Sequence, residues 1–235
     1  MVLISAVLLA AGILPVETRQ VVLSTAAGWE ATTGAVQLYE RESPEAAWQP
    51  VGAPFEVSLG RSGLGWGRGL HPPGLEGPHK AEGDGRSPAG IFDLRLATGY
   101  GPPPPGTRIT YRVATPTLRC VDDPASARYN RLVDEELVEK DWTSAEDIRR
   151  EDDLYRFVIW VGHNDAPAQP GAGSCIFLHL RDGPGGVTAG CTAFDTEPMR
   201  RLLAWLDPEA RPVLVQLPSL VARAATVSWG LPPPP

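Results

Sequence analysis

The stretch "IFLHLRDGPGGVTAGCTAF", residues 176–194, places a strand-like apolar run, a glycine-rich loop and a lone Gly-Cys pair in immediate succession. His179 sits at the end of the apolar run "IFLHL", and Cys191 follows Gly190. A cysteine attacks as its thiolate, and a neighbouring imidazole is the group that takes the thiol proton. A glycine before the nucleophile lets the backbone turn tightly, so that the amides around Gly190 and Cys191 can approach an oxyanion. Free cysteine is also among the most buried residue types. On these residues alone, Cys191 reads either as a nucleophile served by His179 or as a small core residue beside a turn.

Outward from this stretch the chain reads as β-rich. "RQVVLSTAAGW", "GAVQLYERE", "PFEVSLG", "IFDLRLATGY" and "TYRVA" carry strand patterns separated by turn residues. "RFVIWVG", "SCIFLHL" and "PVLVQLP" are almost continuously apolar, as central strands buried on both faces are. Residues 61–90 are too rich in Gly and Pro for a regular element and read as a long ordered loop, a type that is often functional. Two helices are expected. "TSAEDIRREDD" (143–153) has a capping-box spacing from Thr143 to Glu146. "DTEPMRRLLAWLDP" has a cap at Asp195 or Thr196, with Met199, Leu202, Leu203 and Leu206 on one face. The expected fold class is α+β, a β-rich mixed sheet with a few short helices.

The chain has 235 residues, which suits one domain that buries about 70% of its unfolded surface without a metal or disulfide staple. The 25 glycines and 25 prolines favour turns and short strands over a helical bundle. A net charge of −7 with no basic cluster argues against a nucleic-acid partner. The three cysteines and four histidines show no zinc spacing, so no metal is expected. "GDGRSPAG" lacks the ending of a phosphate loop, so no nucleotide cofactor is expected either. Residues 1–19 read as a signal peptide or N-terminal apolar segment, although no Lys or Arg precedes the apolar run. Residues 20–219 read as the domain, and 220–235 as a Pro-rich tail ending in solvated "LPPPP". Beyond residue 19 no apolar run is long enough to span a membrane, so no transmembrane segment is expected in a mature exported protein. If Cys120 and Cys175 bridge, Cys191 is left as the free thiol, an arrangement that suits an exported enzyme; two separate buried thiols are the other reading.

"IFLHL…TAGCTAF" resembles the signature of the L,D-transpeptidase (YkuD-like) catalytic domain, in which a strand ends in His and a Ser-His-Gly-Cys segment carries the nucleophile. "GDGRSPAGIFDL" (83–94) is similar to the family's upstream strand entry, with Ser87, Pro88, Gly90 and Phe92 in matching places. "CVDDPASARYN" (120–130) and "GHN" (162–164) resemble a less-studied bacterial branch, and the resemblance covers roughly residues 20–218. It implies a cysteine enzyme without metal or organic cofactor, exported to the periplasm or cell envelope. Such an enzyme forms a thioester with a peptidoglycan stem peptide, releases D-Ala and passes the acyl group to an amine of a second stem. A hydrolase of the same linkage and a non-catalytic stem-peptide-binding module are the alternatives. By this match Cys191 is the nucleophile, His179 the general acid/base and Gly190 part of the oxyanion turn.

The chain departs from the pattern at Ala189, where the family has a second His, at Thr192 after the cysteine, and at Leu180 after His179. An orienting contact to the His179 ring then has to come from elsewhere, such as a backbone carbonyl. His163 and Asn164 are candidates for lining the same cleft, with His163 also an alternative base. Arg86 and Arg181 are candidates for binding a substrate carboxylate.

Overall fold

In the computed structural model, which describes residues 13–165, 167–181, 183 and 185–235, the pattern of fully apolar runs becomes a sheet closed on itself. The strand β1 (Gln20–Ala26) is buried along its whole length. It pairs antiparallel with β2 (Thr33–Glu40), which pairs antiparallel with β3 (Gln49–Ser58). A short strand, β4 (Leu64–Trp66), runs parallel to the start of β5 (Ser87–Gly99). The thirteen residues of β5 change neighbours partway along. Gly90–Asp93 pair with β13 (Val213–Pro218), and Leu94 and Ala97–Gly99 pair with β10 (Phe157–Val161). β6 (Thr110–Val113) adds to the second half of β5. β10 continues to β11 (Phe177–Leu180), β12 (Thr192–Phe194) and back to β3, while β13 runs parallel to β1. The ring is therefore β5-β10-β11-β12-β3-β2-β1-β13. Its core holds Leu23, Leu38, Leu59, Ile91, Phe92, Ile159 and Phe194, all fully buried.

The expected strands form, with shifted ends, and so does one expected helix. That helix, α1 (Thr196–Trp205), buries Met199, Leu202 and Leu203, with Leu206 buried just beyond it. Asp195 occupies the N-cap position but makes no capping bond, because its carboxylate accepts two bonds from the Arg181 guanidinium.

The helix expected over 143–153 does not form. This segment has Ile148 as its one large apolar side chain, so a helix there would have no stripe to bury. The Thr143 amide and hydroxyl both donate to Asp123 Oδ2, at 2.7 Å each, which uses the would-be cap in a tertiary contact. Residues Ala145–Asp147 form β9 instead, paired with β7 (Leu118–Val121), which also pairs with β8 (Arg131–Asp134). These three strands make a second small sheet outside the ring.

The segment expected as a Pro-rich tail is also corrected. Residues Ser219–Trp229 form α2, which buries Ala222, Ala225 and Trp229 and ends at Gly230 with φ 71°. Leu231 is buried beyond it, and the Tyr39 hydroxyl donates to Pro233 O at 2.6 Å, so the "LPPPP" end packs against the domain. The long loop 61–90 likewise contains β4 and the beginning of β5. Of the N-terminal apolar segment, residues 1–12 lie outside the described residues. Leu14 is buried, and its amide donates to Trp229 O at 2.9 Å. No helix among the described residues is long and apolar enough to cross a membrane.

A disulfide joins Cys120 on β7 to Cys175 just before β11, with Cα atoms 5.9 Å apart. Cross-linking residues 55 apart in sequence restricts the unfolded chain by about 4 kcal/mol in the loop-entropy account. Replacing both cysteines by serine is expected to lower stability by about that amount in urea titrations under non-reducing conditions. A loss below about 1 kcal/mol would show that the small sheet is held by its packing alone.

Candidate functional site

β11 and β12 bring the His179 and Cys191 segments side by side. Their parallel register aligns His179 with Ala193 and Leu178 with Thr192, so Phe177 aligns with Cys191 one step earlier. Side chains alternate along a strand, and therefore His179 and Cys191 share one face. Both line a cavity of about 370 Å³ together with Lys80, Glu146, Arg150 and Tyr155.

The turn carrying Cys191 is pinned from two sides. The Cys191 carbonyl accepts from Ser87 Oγ and from Thr188 Oγ1, each at 2.6 Å. The Gly190 amide donates to Thr188 Oγ1 at 3.1 Å. Gly190 has φ 155°, and a Cβ there would lie 3.2 Å from the Arg86 carbonyl. The Gly190 amide is thus engaged by Thr188 here, within the turn that carries Cys191.

The free thiol of Cys191 is buried. Its sulfur accepts from the Phe177 amide at 3.3 Å and lies 3.5 Å from the Cys175 carbonyl. Burial pushes the thiol pKa up to about 12, Glu146 adds to the rise, and the Phe177 amide, Lys80 and the Tyr155 hydroxyl oppose it. His179 Nδ1 lies 2.7 Å from the Leu180 carbonyl, which can only accept, so Nδ1 carries the proton and Nε2 keeps its lone pair. This carbonyl thus provides the orienting contact to the His179 ring. Burial lowers the His179 pKa to about 4, against the Leu180 bond that raises it. The pair therefore rests as neutral thiol and neutral imidazole rather than as an ion pair.

The four expected substrate contacts lie elsewhere. His163 is 1% exposed, with Nδ1 accepting from the Arg68 amide and Nε2 donating to the Ala172 carbonyl. Asn164, also buried and with φ 54°, accepts from Arg68 Nε and the Gln169 amide and donates to the Gln169 and Gly173 carbonyls. Arg86 bonds the Leu64 carbonyl and Glu30. Arg181, whose side chain is 6% exposed, bonds Asp195 and Glu56. All four have their polar atoms engaged in holding loops and strands together, and none is among the residues lining the Cys191 cavity. The charged groups that do line it, Arg61, Lys80, Glu82, Asp122, Glu146 and Arg150, were missed because they come from separate loops and from a segment that reads as a helix. Among the described residues no group of three or more His, Cys, Asp or Glu is placed to hold a metal ion.

The family profile described as YkuD, L,D-transpeptidase catalytic domain, matches residues 32–215. No curated protein matches the chain. Among solved structures, the helical cell shape determining protein Pgp2 from Campylobacter jejuni aligns with a TM-score of 0.40 and 15% identity. The alignment covers 84% of this chain and 47% of that one, so the chain spans about half the length of this relative.

The two buried histidines give an acid-side prediction. Burial lowers the His163 pKa to about 3 and that of His179 to about 4, against roughly 6.5 unfolded. Below pH 6.5 the unfolded chain binds protons that the folded chain refuses, so stability falls as pH drops toward 4. Glu146, pushed up to about 7 by burial, acts in the opposite sense between about 4.5 and 7 and flattens the net curve. His163→Gln is expected to be less stable at pH 7 yet to lose less on acidification, by up to about 1 kcal/mol per pH unit. Urea titrations of both proteins between pH 6 and pH 4 measure this, and parallel curves would contradict a neutral His163.

Proposed function

Because the chain belongs to the YkuD family of L,D-transpeptidase catalytic domains, we propose that it is an exported peptidoglycan L,D-transpeptidase with Cys191 as nucleophile. The observation that carries this reading is the shared face of β11 and β12. There the one free thiol among the described cysteines shares a face and a cavity with an imidazole whose Nδ1–H is held by a backbone carbonyl.

In this reading His179 Nε2 takes the Cys191 proton as the sulfur attacks the carbonyl carbon after the third stem residue. A C–S bond forms, the C–N bond to D-Ala breaks, and His179 returns the proton to the leaving amine. An amine of a second stem then attacks the thioester. It gives its proton to His179, and the Cys191 sulfur leaves and is reprotonated. Water in place of the amine gives hydrolysis. Since both partners rest neutral, the thiol is deprotonated during attack, and binding has to position the carbonyl before the thiolate exists. The period of enzyme activity belongs in the periplasm or cell envelope, where the stem peptides are and where the Cys120–Cys175 disulfide persists.

One observation favours a second reading, a module that binds stem peptides without turnover: burial keeps the Cys191 thiol protonated well above neutral pH. A purified disaccharide tetrapeptide separates the two. The enzyme is expected to release D-Ala and to show a thioester adduct on Cys191 by intact mass, with Cys191→Ala losing both while unfolding normally. D-Ala release that persists in Cys191→Ala would remove the transpeptidase assignment, and neither product from the native protein would leave the binding module. His179→Ala is expected to slow adduct formation by about 100-fold or more, read by quenched-flow mass spectrometry.

A further inference from the structure

Tyr155 stands between the two proposed reacting groups and a carboxyl that the mechanism does not use. Its ring packs edge-on to His179, with centroids 5.1 Å apart, and edge-on to Phe177 at 5.7 Å. Its hydroxyl donates to Glu146 Oε2 at 2.8 Å. Tyr155, Glu146 and Cys191 line the same cavity, where the hydroxyl lowers the pKa of the thiol and the charges of the thiol and of Glu146 raise that of Tyr155. Glu146 stands on β9 directly opposite Cys120, so the disulfide to Cys175 holds this carboxyl over the cavity.

A phenol has one proton and two neighbours here. While it is given to Glu146, none is left for the sulfur, and the oxygen lone pairs face a group that must become an anion. When Glu146 is protonated, its own O–H can donate to the Tyr155 oxygen, and the phenol proton is free to turn to the sulfur. We infer that Glu146 and Tyr155 form a positioning pair for Cys191, in which protonation of Glu146 turns the Tyr155 hydroxyl from the carboxylate to the thiolate. The inference rests on Cys191 being the reactive thiol and adds a control on it.

The surroundings favour this switch. Glu146 is also faced by Arg150, Asp122 and Glu82, and its pKa is pushed up to about 7 chiefly by burial. Arg150 does not neutralise it by direct pairing, because its guanidinium bonds Asp152 and lies over the Tyr155 ring, 5.1 Å from the centroid. His179 is faced by the same Arg150 and Asp152, and Cys191 by Lys80. Lys80 in turn donates to Asp84 at 2.6 Å and to the Ala81 carbonyl. Tyr155, whose own pKa is raised far above the ordinary value, keeps its proton throughout and changes only its direction.

The test is the pH dependence of Cys191 alkylation by iodoacetamide between pH 5 and 9, with the disulfide intact and the modified residue identified by mass. The logarithm of the rate for an isolated buried thiol rises by one per pH unit across this range. The native protein is expected to bend below that slope near pH 7, as Glu146 ionises and withdraws the donor from the sulfur. Glu146→Gln removes the titrating group, so the bend is expected to vanish and the rate at pH 8 to rise about tenfold, the effect of one hydrogen bond to an anion. Tyr155→Phe keeps the ring packing and the Glu146 charge, whose direct effect on the thiol remains, but lacks the hydroxyl, so its bend is expected to be clearly shallower than the native one and its rate slower below pH 7.

A bend as deep in Tyr155→Phe as in the native protein would show Glu146 acting through space alone and would overturn the inference. A straight profile in the native protein would also overturn it. Urea midpoints of both variants establish that they are folded. Alkylation reads the thiol without substrate, so either failure leaves D-Ala release to be judged separately, by Cys191→Ala.

Discussion

The bond between Cys120 and Cys175 decides how the two sheets meet, and the cavity exists where they meet. Cys175 adopts φ 53°, a left-handed conformation that favours glycine, and its amide donates to Asn130 Oδ1. Asn130 is itself left-handed at φ 58°, and its side-chain amide donates to the His163 and Asn164 carbonyls. Backbone strain at Cys175 is thus held by a cross-link on one side and a buried amide on the other. The motif segments 120–130 and 162–164 are knitted together at that point. Downstream of Cys175 the chain enters β11 and delivers His179, and the Cys175 carbonyl faces the Cys191 sulfur. Displacing this junction would move the small sheet, with Glu146, and both sides of the Cys191–His179 pair.

A second constraint lies under the cysteine turn. The resemblance at 83–94 rests on Ser87, and the Ser87 hydroxyl is one of the two donors to the Cys191 carbonyl. It also accepts from the Gly60 amide, which ties the end of β3 to the start of β5 beneath the turn. Gly90 is required for a different reason: a Cβ there would lie 2.0 Å from the His71 ring, which accepts from the Ile91 amide. These residues of the motif shape backbone, and Cys191 stands on the backbone they shape.

The electrostatics of the cavity are those of a dry site. The thiol, the imidazole and the carboxyl of Glu146 are each displaced toward the neutral form, with burial as the largest cause in every case. Groups in such surroundings rest uncharged. Lys80 and Arg150 bring positive charge to the cavity lining, already balanced by Asp84 and Asp152.

Composition, apolar runs and the Gly-Cys spacing were sufficient for the β-rich class, most of the ring strands and α1, and for singling out Cys191 and His179, which line one cavity. Each of these is a local pattern: alternation or continuity of apolar residues, a stripe at 3.6-residue spacing, a glycine before a cysteine. The helix expected at 143–153 failed because a capping-box spacing is a weak preference and Asp123, twenty residues earlier, supplied a better partner for Thr143. The helix at Ser219–Trp229 was overlooked because its buried face is built from Ala222, Ala225 and Trp229, too small a stripe to stand out beside four prolines. His163, Asn164, Arg86 and Arg181 have the side-chain chemistry of a binding site, and the fold uses that chemistry to satisfy buried carbonyls and carboxylates. Residue type and spacing therefore marked out the candidate groups. Which of them share a cavity, which are already hydrogen-bonded and which are kept uncharged was decided by tertiary structure, because burial and partner choice depend on chain segments far apart in sequence.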